Sequence, residues 1–171
     1  MKRILTITIC LFALTFGLMG QTDIETGSCT SITVGKNAST DGSTMTSHTC
    51  DSDFRTWLTM EPSITYQKGD MEPVYKGKLH TDLPWDMRRV TEAGKIPAPE
   101  KTYKFLNTAY PCMNEKQLAM GETTVEGRPE LVNPAGMFQI EELQRIALQR
   151  CSTAREAIKL MGKLAQEYGY G

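Results

Sequence analysis

Helical periodicity is confined to the end of this chain, and that constrains its fold more than any other feature. From Phe138 onward, Phe138, Leu143, Ile146 and Ala147 fall on one stripe. A second helix opens on the capping box of Thr153 and Glu156. It carries Ala157, Leu160, Met161 and Leu164 on one face and closes at Gly169. Ahead of this pair the signals are those of hairpins. Thr30, Ile32 and Val34 alternate with Cys29, Ser31 and Thr33, which predicts a strand with one buried face. Asp41-Gly42 predicts a turn, and residues 43–50 a returning strand. Antiparallel pairing would bring Cys29 close to the end of that strand, at His48 to Asp51. Hairpins followed by a helix pair predict an α+β fold, a sheet with helices on one face.

The middle is read less sharply. Residues 56–60 and 63–66 suit short strands. Four prolines (Pro73, Pro84, Pro97, Pro99) predict a long functional loop over residues 68–99. Trp85 within it reads either as a cleft residue or as a pin to the core. Residues 102–110 and 117–125 are expected to pair as strands about the turn Met113-Asn114-Glu115-Lys116. Glu122 reads as an exposed strand carboxylate, with a cleft-facing position as the alternative.

The first residues are of another kind. Lys2 and Arg3 precede an apolar run from Ile4 to Leu18, and polar sequence begins at Gln21. That is the layout of a secretory signal peptide, expected over residues 1–20, with residues 21–28 as a short pro-segment. The run is short for a transmembrane helix. The mature chain is therefore expected in the periplasm or outside the cell, without a stable membrane anchor. Cys29 does not follow the apolar run directly, as a lipid-attachment cysteine would. Thr26-Gly27-Ser28 places small residues before it, which suits a cut that leaves Cys29 first.

With a net charge of −1 and no block of like charges, nothing points to a nucleic-acid surface. His48 and His80 are not at metal-ligand spacing, and no phosphate-binding glycine motif or HExxH occurs, so neither a metal nor a cofactor is expected. In the exported part four cysteines remain, Cys29, Cys50, Cys112 and Cys151. They allow three disulfide pairings, so a non-catalytic module held by two disulfides is one reading. A cysteine at a mature N-terminus offers another. Its α-amine, with an ordinary pKa of about 7.7–8.0, can serve as base for a thiol of about 8.5. Nucleophile and base then come from one residue.

The run from Cys29 to Thr44, CTSITVGKNASTDGST, resembles the start of the cysteine N-terminal-nucleophile dipeptidases of the dipeptidase A type. These are relatives of penicillin V acylase and conjugated bile salt hydrolase. The resemblance continues at Gly94-Lys-Ile-Pro97, Ala109-Tyr-Pro-Cys-Met-Asn-Glu115, Gly121-Glu-Thr-Thr124 and Thr153-Ala-Arg-Glu-Ala-Ile158. It implies an N-terminal-nucleophile hydrolase αββα sandwich, exposure of Cys29 by cleavage, and hydrolysis of dipeptides through an acyl-enzyme. It also implies site residues. Asp51, in His48-Thr-Cys-Asp51, matches an aspartate that orients the N-terminal amine, with Asp53 as fallback, and His48 stands where the superfamily has an arginine. Asn114 matches an element that supplies an oxyanion donor. Positions for a later asparagine and arginine do not occur before Gly171, and family members are longer, so the chain is expected to be the front of a longer sandwich, incomplete alone. An amidase or acylase acting on non-peptide amides is the alternative within the same fold. Dipeptides are the expected partners, and self-association stays open.

Overall fold

The computed structural model describes residues 29–50, 57–81, 83, 85–123 and 127–171. The expected leader and pro-segment, and Asp51 and Asp53, lie outside the described residues.

The fold is α+β. Strands β1 (Ser31–Val34) and β2 (Met45–His48) form an antiparallel hairpin in which Ser31 faces His48 and Val34 faces Met45. Strand β3 (Thr59–Glu61) pairs with β6 (Phe105–Asn107), which also pairs with β7 (Met113–Asn114). Strands β4 (Met71–Lys76) and β5 (Thr91–Pro97) make a separate antiparallel pair. Helices α1 (Ile140–Arg150) and α2 (Ala154–Tyr168) follow. The Thr153–Glu156 capping box forms as expected, and Gly169 ends α2 with a φ of 80°.

The helix pair is the hub of the packing. Val74 and Ile96 of the β4–β5 hairpin pack with Phe138, Leu143, Ile146 and Leu164 in one buried cluster. Phe105 and Leu118 pack with Ala147, Leu148, Cys151 and Ala157 in a second, and Leu160 and Met161 touch both. Truncating a fully buried residue such as Ile146 to alanine would cost about 2–5 kcal/mol. An ion network ties α1 to β4. Arg145 pairs with Glu72 and, at 2.9 Å, with Glu142, and it donates to the Pro73 carbonyl at 3.2 Å. Arg150 reaches Glu72 at 2.7 Å and Lys78 reaches Glu142 at 3.3 Å. Burial would raise the Glu142 carboxyl, but Arg145 and Lys78 hold it below its ordinary value.

Three expectations are corrected. Residues 68–99 are not one long loop, because residues 71–76 and 91–97 pair as β4 and β5 on either side of a shorter connection. A two-stranded sheet has only edge strands, which tolerate proline, and Pro73 and Pro97 sit within it opposite Lys95 and Met71. Residues 117–125 do not form a strand over their described part. Gln117 turns the chain with a φ of 63°, and Ala119 makes a single bridge back to Met113. The apolar face of β1 is not buried among the described residues, since Ile32 is 62% exposed. The alternation does select the hairpin, but neither helix packs on it.

Candidate functional site

The site grows from the open end of the β1–β2 hairpin. Thr49 N donates to Thr30 O at 2.9 Å, which carries the pairing one residue past the strands. Thr30 N donates to Thr49 Oγ1 at 3.2 Å. The next positions out, Cys29 and Cys50, therefore face each other across the strand ends, and both are half-buried. A third segment, Gly121 to Thr123, closes over this end. Ser31 Oγ donates to the Glu122 carbonyl at 3.5 Å and shares a short hydrogen bond with the Thr123 hydroxyl. The His48 ring lies against Gly121, so close that an added Cβ would stand 3.2 Å from Nδ1. Gln144 of α1 donates to the Gly121 carbonyl at 3.4 Å and anchors the segment from behind.

The result is a cluster that sequence order hides. Cys29 Sγ, Cys50 Sγ and a carboxylate oxygen of Glu122 all lie within 4.8 Å of one another. Beside them Tyr110 is buried. Its phenol is pushed far up, by burial first and then by Glu122, Cys50, Glu141 and Cys29, so it stays protonated and remains a donor. A cleft of about 720 Å³ opens beside the cluster, with Tyr110, Met120, Glu122, Gln144, Ile158 and Tyr170 in its walls. The Tyr170 phenol is also raised, by burial and then by Glu141 and Glu122. Apolar wall with a few convergent polar groups is the usual make-up of a small-molecule site.

Asn114 is held elsewhere, under the end of α1. Its Nδ2 donates to the carbonyls of Leu148 and Cys151 at 2.7 and 2.8 Å. Its Oδ1 accepts from Lys116 N and Leu118 N at 3.0 and 3.1 Å, and its own N–H donates to Leu118 O at 3.0 Å. All three of its donors are engaged in this arrangement. Asp51 and Asp53 follow Cys50 in the chain and lie outside the described residues. Among the described residues, none of the four cysteines is in a disulfide. Burial pushes Cys112 and Cys151 up, which keeps both poor nucleophiles. Trp85 is 74% exposed and walls only a shallow hollow with Leu83, Asp86, Met87 and Arg88, so it neither pins the loop nor lines the cleft. Tyr110 is the residue that sequence reasoning missed, and for Glu122 it is the alternative reading, a cleft-facing carboxylate, that the structure bears out. Both fall in the motif runs Gly121 to Thr124 and Ala109 to Glu115, which were the signal available.

The sequence profile of Peptidase family C69 matches residues 28–171. The chain belongs to Peptidase family C69. Among curated proteins it is similar to a probable dipeptidase B of Lactococcus lactis subsp. lactis (strain IL1403), 29% identical over 152 residues, covering 84% of this chain and 30% of the relative. It is also similar to a probable dipeptidase of Latilactobacillus sakei, 27% identical over 165 residues, covering 85% of this chain and 31% of the relative. This C69 chain thus spans about a third of the length of the curated relatives it matches. No solved structure matches it. Within the C69 match, Cys29 is the second residue, at the mouth of the hairpin.

Proposed function

We propose that this C69 chain is the front part of an exported dipeptidase whose nucleophile is Cys29. One observation carries the reading. In a chain matched to C69 from residue 28, Cys29 sits at a strand end beside a cleft, with family relatives named as dipeptidases. In the proposed reaction the bond after Ser28 is cut, and the freed α-amine of Cys29 takes the thiol proton. The thiolate attacks the dipeptide carbonyl, and the amine passes the proton to the departing amino group. Water then releases the acyl group from sulfur. Asp51 is proposed to orient the amine, within an αββα sandwich that the complete protein would form. Asn114 enters the proposal through position. It fixes the turn after β7 to the end of α1, one residue run away from the segment that covers Cys29. Export follows from the leader-like start. No helix among the described residues is long and apolar enough to cross a membrane.

The test is N-terminal sequencing of the active protein isolated from its host, with dipeptide hydrolysis measured on the same sample. Cys29 is the expected first residue. An active enzyme that keeps Gln21 or any other residue ahead of Cys29 would overturn the amine-as-base mechanism. Turnover of acylated amides but not of dipeptides would move the substrate class.

A further inference from the structure

We propose that Cys29, Cys50 and Glu122 form a binding site for a single zinc ion, and that zinc occupancy reversibly blocks the nucleophile. The three side chains come from three separate segments, the two strand ends of the first hairpin and the segment that closes over them. Their ligand atoms all lie within 4.8 Å of one another. In a tetrahedral zinc site with Zn–S of about 2.3 Å, neighbouring ligand atoms stand about 3.5–4 Å apart. The contraction required is about 1.3 Å at most, within reach of side-chain rotation at half-buried positions. The hairpin pairing holds the two cysteines opposite each other, so little backbone order has to be created on binding.

The donor set selects the metal. Two thiolates and one carboxylate disfavour magnesium and calcium, which take oxygen ligands. Zinc accepts sulfur and oxygen together and has no redox chemistry that would consume the thiols. Binding replaces the two thiol protons, which leave to solvent. Three protein ligands leave a fourth position for water. Once Ser28 is removed, the α-amine of Cys29 can fill it and close a five-membered ring through nitrogen and sulfur. The site itself does not need that cleavage. Only its consequence, inhibition, rests on Cys29 being the nucleophile: a thiolate bound to zinc gives much of its charge to the metal and is a far weaker nucleophile toward a carbonyl.

The experiment uses the full-length protein, reduced with a phosphine and stripped with a chelator. Zinc chloride is titrated against a chromogenic chelator, and cobalt is substituted to read thiolate-to-metal absorption. One equivalent per chain is expected. Even an outer-sphere partner of a metal is typically worth 10–100-fold in affinity, so Cys50→Ser and Glu122→Gln should each weaken binding by at least about tenfold. Cys112→Ser should leave it unchanged. The unmodified enzyme should lose dipeptide hydrolysis in step with occupancy and recover it with chelator, whereas Cys50→Ser, scored against its own zinc-free rate, should keep that rate at the same added zinc. Equal affinity in Cys50→Ser and the parent, or loss of affinity in Cys112→Ser, would overturn the proposal. So would a reduced, metal-free protein that takes up no zinc, with Cys29 and Cys50 instead closing to a disulfide in air. If the parent hydrolyses no dipeptide at all, the dipeptidase reading falls, and the binding titration still decides the site.

Discussion

Replacing Asn114 separates a structural from a catalytic role more cleanly than any other change in this chain. In Asn114→Ala four hydrogen bonds go at once. The Lys116 N–H is near the surface and can turn to water. The carbonyls of Leu148 and Cys151 and the N–H of Leu118 are bonded within the packed interior, at residues that are themselves buried. At about 1–1.5 kcal/mol net for each of these three, the loss is about 3–4.5 kcal/mol. Asn114→Asp is the sharper variant. It keeps the acceptor for Lys116 and Leu118 but puts an oxygen where Nδ2 now meets two carbonyls at 2.7 and 2.8 Å. Acceptor against acceptor, in a site where the residue is 4% exposed, should cost at least as much as the alanine change. The assay is equilibrium urea unfolding of the full-length enzyme, with kcat and KM for a dipeptide measured well below the transition. A loss under about 1 kcal/mol in both variants, joined to a kcat drop of about 10²-fold or more, would refute this reasoning and make Asn114 an oxyanion donor.

Cys29→Ala should abolish dipeptide hydrolysis and Cys29→Ser should leave only a trace, read by release of free amino acid; near-normal turnover by the alanine variant would remove Cys29 as nucleophile. Asp51→Asn should lower kcat more than Asp53→Asn, and the reverse order would show that the amine is oriented from position 53. Glu142→Gln should cost about 3–5 kcal/mol at pH 7, since it breaks a buried ion pair with Arg145. Because the folded Glu142 carboxyl is held below its ordinary value of 4.5, its contribution is fully present above that pH and is lost as pH falls through the folded value. Urea midpoints from pH 7 down to 3 should therefore fall less steeply in the variant, and parallel curves would count against the network.

Local signals were legible where one segment decides the outcome. The capping box, the helical stripe from Phe138 and the Asp41-Gly42 turn each report a structure that forms within a few residues. The approach of Cys29 to the end of the second strand, at His48 to Asp51, followed from that one hairpin, and the register sets Cys50 opposite it. What was not legible depended on partners far away in sequence. Prolines argued against strands at residues 71–97, but the pair stands alone, so no neighbouring strand asks for the missing N–H. Nothing near Glu72 or Glu142 in the sequence marks their carboxylates as buried; Arg145, Arg150 and Lys78 converge on them from other segments. Glu122 was read as an exposed carboxylate, with a cleft-facing position as the alternative, because nothing near it in sequence foretells that its segment folds across the first hairpin. Asn114 was matched to a motif, which says where a residue stands in the chain but not which bonds its amide makes.

The contact between Gly121 and His48 has a consequence for how this protein can vary. Position 121 has room for a side chain only if the ring at 48 gives way, since an added Cβ would stand 3.2 Å from Nδ1. Position 48 in turn is paired with Ser31, two residues from Cys29, so a displaced ring pushes on the strand that follows Cys29. The two sites behave as one locus. A larger residue at 121 should survive selection only alongside a smaller one at 48, and libraries that randomise either position alone will sample mostly losses.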